Sequence, residues 1–93
     1  MTYDLGFVDA ALKEWRKLDP TTRDQFKRKL AERLSDPHVP SARLSGRQNR
    51  YKIKLRSLGY RLVYEVRDEP SIVIVLAVGK RERNAVYKAA DKR

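Results

Sequence analysis

The sequence contains no cysteine and only one histidine, His38, which stands between Pro37 and Pro40. Without cysteine the chain has no disulfide, no thiolate metal site and no thiol nucleophile. No spaced cluster of histidines and acids is present, so we expect no metal site and no cofactor. A mechanism of RNA cleavage that relies on two histidines is excluded as well.

Long apolar runs are also missing. The longest, Ile72 to Val78, is far too short to cross a bilayer. The N-terminal stretch MTYDLGFVDA has no apolar run preceded by cations, so we expect neither a signal peptide nor a membrane segment. The length of 93 residues suffices for one core but not for two. The simplest interpretation is a cytoplasmic protein with a single domain at residues 1–93.

Acidic residues are absent between Asp36 and Glu65, in a chain with 22 Lys and Arg, 12 Asp and Glu, and a net charge of +10. Such an excess favours nucleic acid or an acidic protein as a partner. The alternative is a soluble domain that merely has a charged surface. The cations of the acid-free interval are Arg43, Arg47, Arg50, Lys52, Lys54, Arg56 and Arg61. A second cationic cluster further along the chain consists of Lys80, Arg81 and Arg83.

The first part of the chain predicts one strand and two helices. Apolar residues alternate in residues 2–8, which indicates a strand. A first helix is expected from a cap at Asp9 to about Leu18. The pair Asp19-Pro20 suits the start of a second helix, with Thr22 and Gln25 as a capping box one register later. This helix should end near Ser35, because Pro37 prevents its continuation. After it, residues 36–49 are typical of a loop.

The second part predicts three strands and a helix. Strands are expected at 50–56 and 60–67, joined by a turn in which Gly59 can supply a positive φ. The run SIVIVLAV has no polar alternation, so we expect a central strand that is covered on both faces and ends at Gly79. A weak apolar stripe predicts a final helix over 82–91. The predicted fold is therefore α+β, in the order β-α-α-β-β-β-α. A mainly antiparallel sheet carries the N-terminal helical hairpin on one face, and the C-terminal helix is short.

The strand at 50–56 presents Lys52, Lys54 and Arg56 on one face, with neighbouring cations about 7 Å apart. Phosphates along a nucleic-acid strand would relieve the repulsion between them. The alternative is an ordinary solvent-facing side of an antiparallel sheet. Tyr87, in the final helix near the second cluster, also has a functional and a structural interpretation. In the first it stacks on a base of the nucleic acid, and in the second it is an aromatic at the edge of the core that anchors the helix.

Such a surface permits RNA cleavage by the RNA's own 2′-hydroxyl group. The reaction needs a group that takes the 2′ proton, a group that neutralises the phosphate and a group that protonates the leaving 5′ oxygen. A lysine can be the base only if its pKa falls from about 10.4 toward 7. Lys54, flanked by Lys52 and near Arg61, has neighbours that lower its pKa.

Three separated motifs carry a resemblance to a known family. LKEWRKL, YKIKLRSLGYRLVYEV and VGKRERNAVY resemble, in order and spacing, the RelE-type toxins of the RelE/ParE superfamily. The resemblance implies the toxin of a type II toxin–antitoxin system. Such a toxin is a ribosome-dependent endoribonuclease that cuts mRNA in the A site of the 70S ribosome and thereby inhibits translation. It also implies a RelB-like antitoxin as partner, contact with operator DNA only through the toxin–antitoxin complex, and products with a 2′,3′-cyclic phosphate and a 5′-hydroxyl.

By the same resemblance, individual residues acquire roles. Lys54 is the candidate general base, assisted by Lys52, and Arg61 binds the phosphate. Arg81 stabilises the transition state, and Tyr87 stacks on and orients the base. The remaining cations are expected to contact RNA or the ribosome: Arg43, Arg47, Arg50, Arg56, Lys80 and Arg83.

Two alternatives stay open from the residues. One is a ParE-like toxin that inhibits DNA gyrase by binding, which would share the fold but would not need the set of Lys52, Lys54 and Tyr87. The other is a non-enzymatic domain that binds RNA or DNA through the same basic sheet.

Overall fold

The computed structural model of the chain describes residues 2–46, 49–82 and 84–93, and there the element order is the predicted β-α-α-β-β-β-α. The elements are β1 (Asp4–Phe7), α1 (Asp9–Arg16), α2 (Pro20–Ser35), β2 (Arg50–Leu55), β3 (Tyr60–Asp68), β4 (Ser71–Lys80) and α3 (Ala85–Asp91), with a 3-10 turn at Pro40–Ala42. No helix within these ranges is long and apolar enough to span a membrane.

The four strands form one sheet in the order β1-β4-β3-β2. Strands β2, β3 and β4 are antiparallel neighbours, as predicted, and are joined by tight turns. The first strand lies parallel to β4, so the sheet is mixed. The apolar strand β4 is central and largely buried, which confirms the prediction from its unbroken apolar run.

Helices α1 and α2 cover one face of the sheet. Trp15 of α1 and Phe26 of α2 lie with ring centroids 6.3 Å apart, in one apolar cluster with the inward side chains of β2, β3 and β4. The predicted helical hairpin on one face is therefore confirmed.

Helix α3 packs on the opposite face, over a bulge in β4. Val63 pairs with Ala77 and Tyr64 pairs with Val75, so Leu76 is an extra residue. The bulge gives this face two consecutive apolar residues, Leu76 and Ala77, which pack with Val86 and Ala90 of α3 in a second apolar cluster. Burial of these residues docks the helix.

The helix starts differ from the prediction at two places. Helix α1 begins at Asp9 itself, with Val8 as the N-cap residue and no capping side-chain bond, so the predicted Asp9 cap is wrong. Asp19 caps α2 as predicted, since its carboxylate accepts from the Thr22 backbone N–H. Thr22 lies inside the helix and its hydroxyl donates to Asp19 at 2.6 Å, so the predicted second box with Gln25 is not formed.

The chain reverses after β4 through a turn that the sequence pattern did not specify. Strand β4 continues one residue past Gly79, to Lys80. Asn84 has a φ of 63° in the left-handed region, which asparagine tolerates better than most residues. The turn shortens the predicted 82–91 helix at its start, because α3 begins only at Ala85.

Candidate active site

Pairing across the sheet places two cations and a glycine in one row. Lys54 of β2 lies opposite Arg61 of β3, and Arg61 lies opposite Gly79 of β4. A Cβ atom at Gly79 would lie 3.5 Å from Val86 of α3. The start of α3 therefore runs over the glycine end of the row, beside the two cations.

This arrangement encloses a cavity of about 200 Å³, which we call the main cavity. Its lining residues are Lys54, Arg61, Lys80, Arg81, Glu82, Asn84, Ala85, Val86 and Tyr87. Four of the five predicted catalytic residues meet there, contributed by β2, β3, the turn after β4 and α3. In the sequence they lie in two separate motifs, YKIKLRSLGYRLVYEV and VGKRERNAVY, which the fold brings to one place.

The charges around Lys54 shift its pKa. The positive charge of Lys52 lowers the pKa of Lys54, and partial loss of hydration and the charge of Arg61 lower it further. Smaller contributions in the same direction come from Arg56 and Arg81. The direction is the one that the sequence predicted, and it raises the fraction of Lys54 that can accept a proton near neutral pH.

The position of Tyr87 agrees with both interpretations that the sequence left open. It is partly exposed and lines the main cavity. It also packs against the second apolar cluster, next to Val86 and Ala90. The packing limits the movement of the ring while part of it faces the cavity.

Lys52 and Arg56 lie in a neighbouring cavity rather than in the main one. This edge cavity, of about 300 Å³, lies at β2, which is an edge strand of the sheet. Its lining residues are Arg33, Ser41, Ala42, Lys52, Lys54 and Arg56. Lys54 lines both cavities, so they meet at the candidate base. Lys52 acts on the main cavity through its charge on Lys54.

The remaining predicted contacts fall into different surroundings. Lys80 lines the main cavity, whereas Arg43 is exposed on the loop before β2 and lines neither cavity. Arg50 binds within the protein: its Nε donates to Glu65 at 3.3 Å and its Nη1 donates to the Ala90 carbonyl at 3.2 Å. Arg47 and Arg83 lie outside the described residues, so the part predicted for them stays a prediction.

Sequence reasoning missed four polar residues that line the cavities: Glu82 and Asn84 in the main cavity, and Arg33 and Ser41 in the edge cavity. Glu82 and Asn84 lie within the motif VGKRERNAVY, of which only the cations and the tyrosine had been considered. Arg33 lies on α2 among mixed charges, a pattern typical of a solvated helix face. No local signal indicates that it reaches the edge of the sheet.

His38 lies apart from both cavities. Its Nδ1 is 3.0 Å from the Tyr51 hydroxyl, and its Nε2 is 3.1 Å from the Asp68 carboxylate. Asp68 also accepts from the Tyr3 hydroxyl at 2.6 Å, and these bonds lower its pKa. Within the described ranges, no three His, Cys, Asp or Glu residues are grouped so as to hold a metal ion.

Comparison with known proteins decides the family. A family model described as the ParE toxin of the type II toxin–antitoxin system, parDE, matches residues 6–85. The mRNA interferase toxin RelE of Escherichia coli strain K12 is 56% identical over 93 residues, covering 100% of this chain and 98% of that protein. The chain belongs to the RelE/ParE toxin superfamily. A putative RelE-like toxin protein of E. coli is 53% identical over the same length.

Solved structures of RelE/ParE toxins agree with the fold. The free form of an E. coli RelE variant with two arginines replaced by alanine superposes with a TM-score of 0.92 at 54% identity, covering 100% of this chain and 98% of that one. RelE in the intact E. coli RelBE toxin–antitoxin complex gives a TM-score of 0.83 at 56% identity, covering 87% of this chain and 99% of that one. The archaeal RelE–RelB complex of Pyrococcus horikoshii, at 22% identity and a TM-score of 0.66, shows the shared fold alone.

Proposed function

We propose that this chain is the toxin of a type II toxin–antitoxin system and an endoribonuclease that cuts mRNA in the ribosomal A site. The observation that carries the proposal is the meeting of Lys54, Arg61, Arg81 and Tyr87 in one cavity. The 56% identity to an mRNA interferase supports it over the whole chain.

The main cavity provides groups for the steps of the cleavage. Neutral Lys54 takes the proton of the 2′-hydroxyl, and the 2′ oxygen attacks the neighbouring phosphorus. Arg61 and Arg81 donate hydrogen bonds to the phosphate oxygens as negative charge develops on them. The bond from phosphorus to the 5′ oxygen breaks, and that oxygen takes a proton from solvent. The products are a 2′,3′-cyclic phosphate and a 5′-hydroxyl.

Tyr87 orients the substrate for this attack. A tyrosine that is fixed by packing and partly exposed offers a face on which a base can stack, a contact worth about 1–3 kcal/mol. Stacking places the 2′ oxygen in line with the phosphorus, and this alignment supplies part of the rate enhancement. The cations bring affinity for the RNA backbone but no sequence preference of their own.

Dependence on the ribosome is part of the proposal because of the resemblance to RelE-type toxins, and the small size of the site agrees with it. A cavity of about 200 Å³ offers little surface for holding a message unaided. Since ribosomes work in the cytoplasm, the toxin acts there. A RelB-like antitoxin is the partner that we propose, because E. coli RelE has been solved in complex with RelB. Operator DNA is then bound only by the toxin–antitoxin complex.

The match to the ParE family model makes a gyrase inhibitor the second candidate. That model spans residues 6–85 and so describes the fold that both kinds of toxin share. A gyrase inhibitor that acts by binding does not need a lysine of lowered pKa beside two arginines and a tyrosine. The composition of the main cavity therefore favours cleavage.

Mapping of RNA ends by primer extension tests the proposal. We expect cells that express the chain, and a purified translation system that contains it, to show new 5′ ends within translated codons. The same messages should stay intact when ribosomes are left out. A fall in gyrase supercoiling activity with intact messages would support the ParE-like alternative. Binding to ribosomes without cleavage would support the non-enzymatic one.

A further inference from the structure

The edge cavity contains only cations among its charged lining residues. Arg33, Lys52, Lys54 and Arg56 surround a volume of about 300 Å³ together with Ser41 and Ala42. Like charges at this spacing repel one another, and the repulsion is relieved when an anion binds between them. Because Lys54 lines both cavities, an anion bound here would lie next to a phosphate bound in the main cavity.

Arg33 is held in place at this edge by two hydrogen bonds. Its Nη1 donates to the Tyr64 hydroxyl at 2.9 Å and to the Lys52 carbonyl at 3.3 Å. The Tyr64 hydroxyl donates its own proton to the Pro37 carbonyl at 2.8 Å, so it is an acceptor toward Arg33. Tyr64 is fully buried, which makes it a rigid anchor. Within the described ranges, the Nε and Nη2 groups of Arg33 donate to no protein acceptor.

The backbone of β2 adds a further donor. The carbonyls of Arg50 and Lys52 point away from β3, since they accept from the Leu44 N–H and from Arg33. Backbone direction repeats every second residue in an antiparallel strand, so the N–H of Lys54 points to the same edge. An arginine fork, flanking ammonium groups, a backbone N–H and a serine hydroxyl together suit a phosphate.

We propose that the edge cavity binds the phosphodiester next to the one that is cut, with Arg33 as the group that fixes its position. This inference rests on the proposed function, because it takes the ligand to be the mRNA. The cut phosphate lies in the main cavity, and the neighbouring phosphate lies on the Lys52 side of Lys54. Two fixed phosphates hold the intervening ribose, whose 2′ oxygen must align with the phosphorus.

Cleavage of mRNAs with single uncharged methylphosphonate linkages tests the proposal on ribosomes. Arg33→Gln is expected to lower kcat/KM on unmodified mRNA about tenfold, as for the loss of one charge-assisted hydrogen bond. Neutralising the linkage next to the cut should lower kcat/KM of the parent protein by a similar factor. It should cause no further loss of kcat/KM in Arg33→Gln. If the loss of kcat/KM from Arg33→Gln and the loss from the neutral linkage multiply at every linkage, Arg33 does not contact a phosphate of the mRNA. The proposal is then wrong.

A matched control and a second variant keep the test decisive. Arg28→Gln removes the same charge from an exposed position of α2 that lines neither cavity, and it should behave as the parent does. Thermal denaturation shows whether Arg33→Gln is folded. If it is not, Arg56→Gln, in the exposed turn after β2, should show the same non-additive loss.

Binding measurements separate a failure of this proposal from a failure of the proposed function. A short RNA with 2′-O-methyl groups cannot be cut by 2′ attack, but it can still bind the free toxin. Arg33→Gln should reduce the slope of log affinity against log salt by roughly 0.7, the value for one phosphate of a single strand. Arg28→Gln should leave the slope unchanged. An unchanged slope for Arg33→Gln would overturn the subsite, whether or not the parent cuts mRNA.

Discussion

Arg50 and Lys54 lie on the same strand and the same face of the sheet, yet their partners on β3 differ in the sign of their charge. Arg50 pairs in register with Glu65, and its Nε lies 3.3 Å from that carboxylate. Lys54 pairs in register with Arg61 and has Lys52 beside it on its own strand. One end of β2 therefore forms an ion pair, and the other end collects like charges.

This difference separates a cation that stabilises the fold from a cation of the candidate site. Opposite charges on directly opposed strand positions stabilise a sheet, whereas like charges destabilise it. Arg50 stabilises the fold by joining β3 to the end of α3 through the Ala90 carbonyl. Lys54 stays in an unfavourable electrostatic environment, which an RNA phosphate would relieve and which lowers its pKa.

The largest effect should come from removing the candidate base at the like-charge end. Lys54→Ala is expected to lower the rate of mRNA cleavage on ribosomes by about 10²–10⁴-fold, the contribution of a positioned general base. Binding to ribosomes should change little, because many cations of the surface remain. Single-turnover cleavage and ribosome co-sedimentation measure the two quantities.

Lys29→Ala is the matched control for that rate. Lys29 is exposed on α2 and lines neither cavity, so its loss removes an equal charge without touching the site. If Lys29→Ala and Lys54→Ala slow cleavage equally, total charge matters and Lys54 is not the base.

The next effect should appear at the paired end, and in stability rather than in rate. Arg50→Ala removes the bonds to Glu65 and to the Ala90 carbonyl and should lower the free energy of unfolding by about 1–2 kcal/mol. Glu65 keeps a partner in Arg67 at 3.1 Å, which limits the loss. Denaturant unfolding measures it, and hydrogen exchange should show faster opening of α3.

Arg67→Ala is a suitable comparison for this stability effect. It removes the other, more exposed partner of Glu65 and leaves α3 untouched, so a smaller loss is expected. An Arg50→Ala protein that is as stable as the parent would show that the ion pair is not structural. It would return Arg50 to the set of candidate RNA contacts.

The fold was largely predictable because its signals are local. The unbroken apolar run of β4, the alternation in β2 and the Asp19-Pro20 start of α2 each depend on neighbours along the chain. The parallel pairing of β1 with β4 and the bulge at Leu76 depend on contacts distant in sequence. No local pattern indicates them.

The candidate site was predictable in part, for a related reason. The cations could be counted from the sequence, and the alternation placed several of them on one face. The hydrogen-bond partners of these cations could not be predicted from the sequence. Glu65 meets Arg50 only through the sheet register, and Tyr64 meets Arg33 only through the packing of α2. The sequence therefore assigned one role to cations that the fold divides between structure and site.

The smallest expected effect is on stability, and it gives the clearest contrast. Removing a cation should change the stability in opposite directions at the two ends of β2. Lys54→Met keeps the aliphatic stem and removes a charge that Lys52 and Arg61 repel, so the melting temperature should rise slightly while Arg50→Ala lowers it. The folded-state pKa of Lys54 is lowered from its ordinary value of 10.5. Between the lowered pKa and 10.5 the unfolded chain binds more protons than the folded chain, so the stability of the parent rises with pH there.

The stability advantage of Lys54→Met over the parent should therefore be largest at neutral pH and shrink as the pH approaches 10.5. It should shrink also in 1 M salt, which screens the repulsion. Thermal melts of parent and variant across pH and salt measure it, and a variant less stable than the parent at neutral pH would show that Lys54 contributes to the fold as Arg50 does.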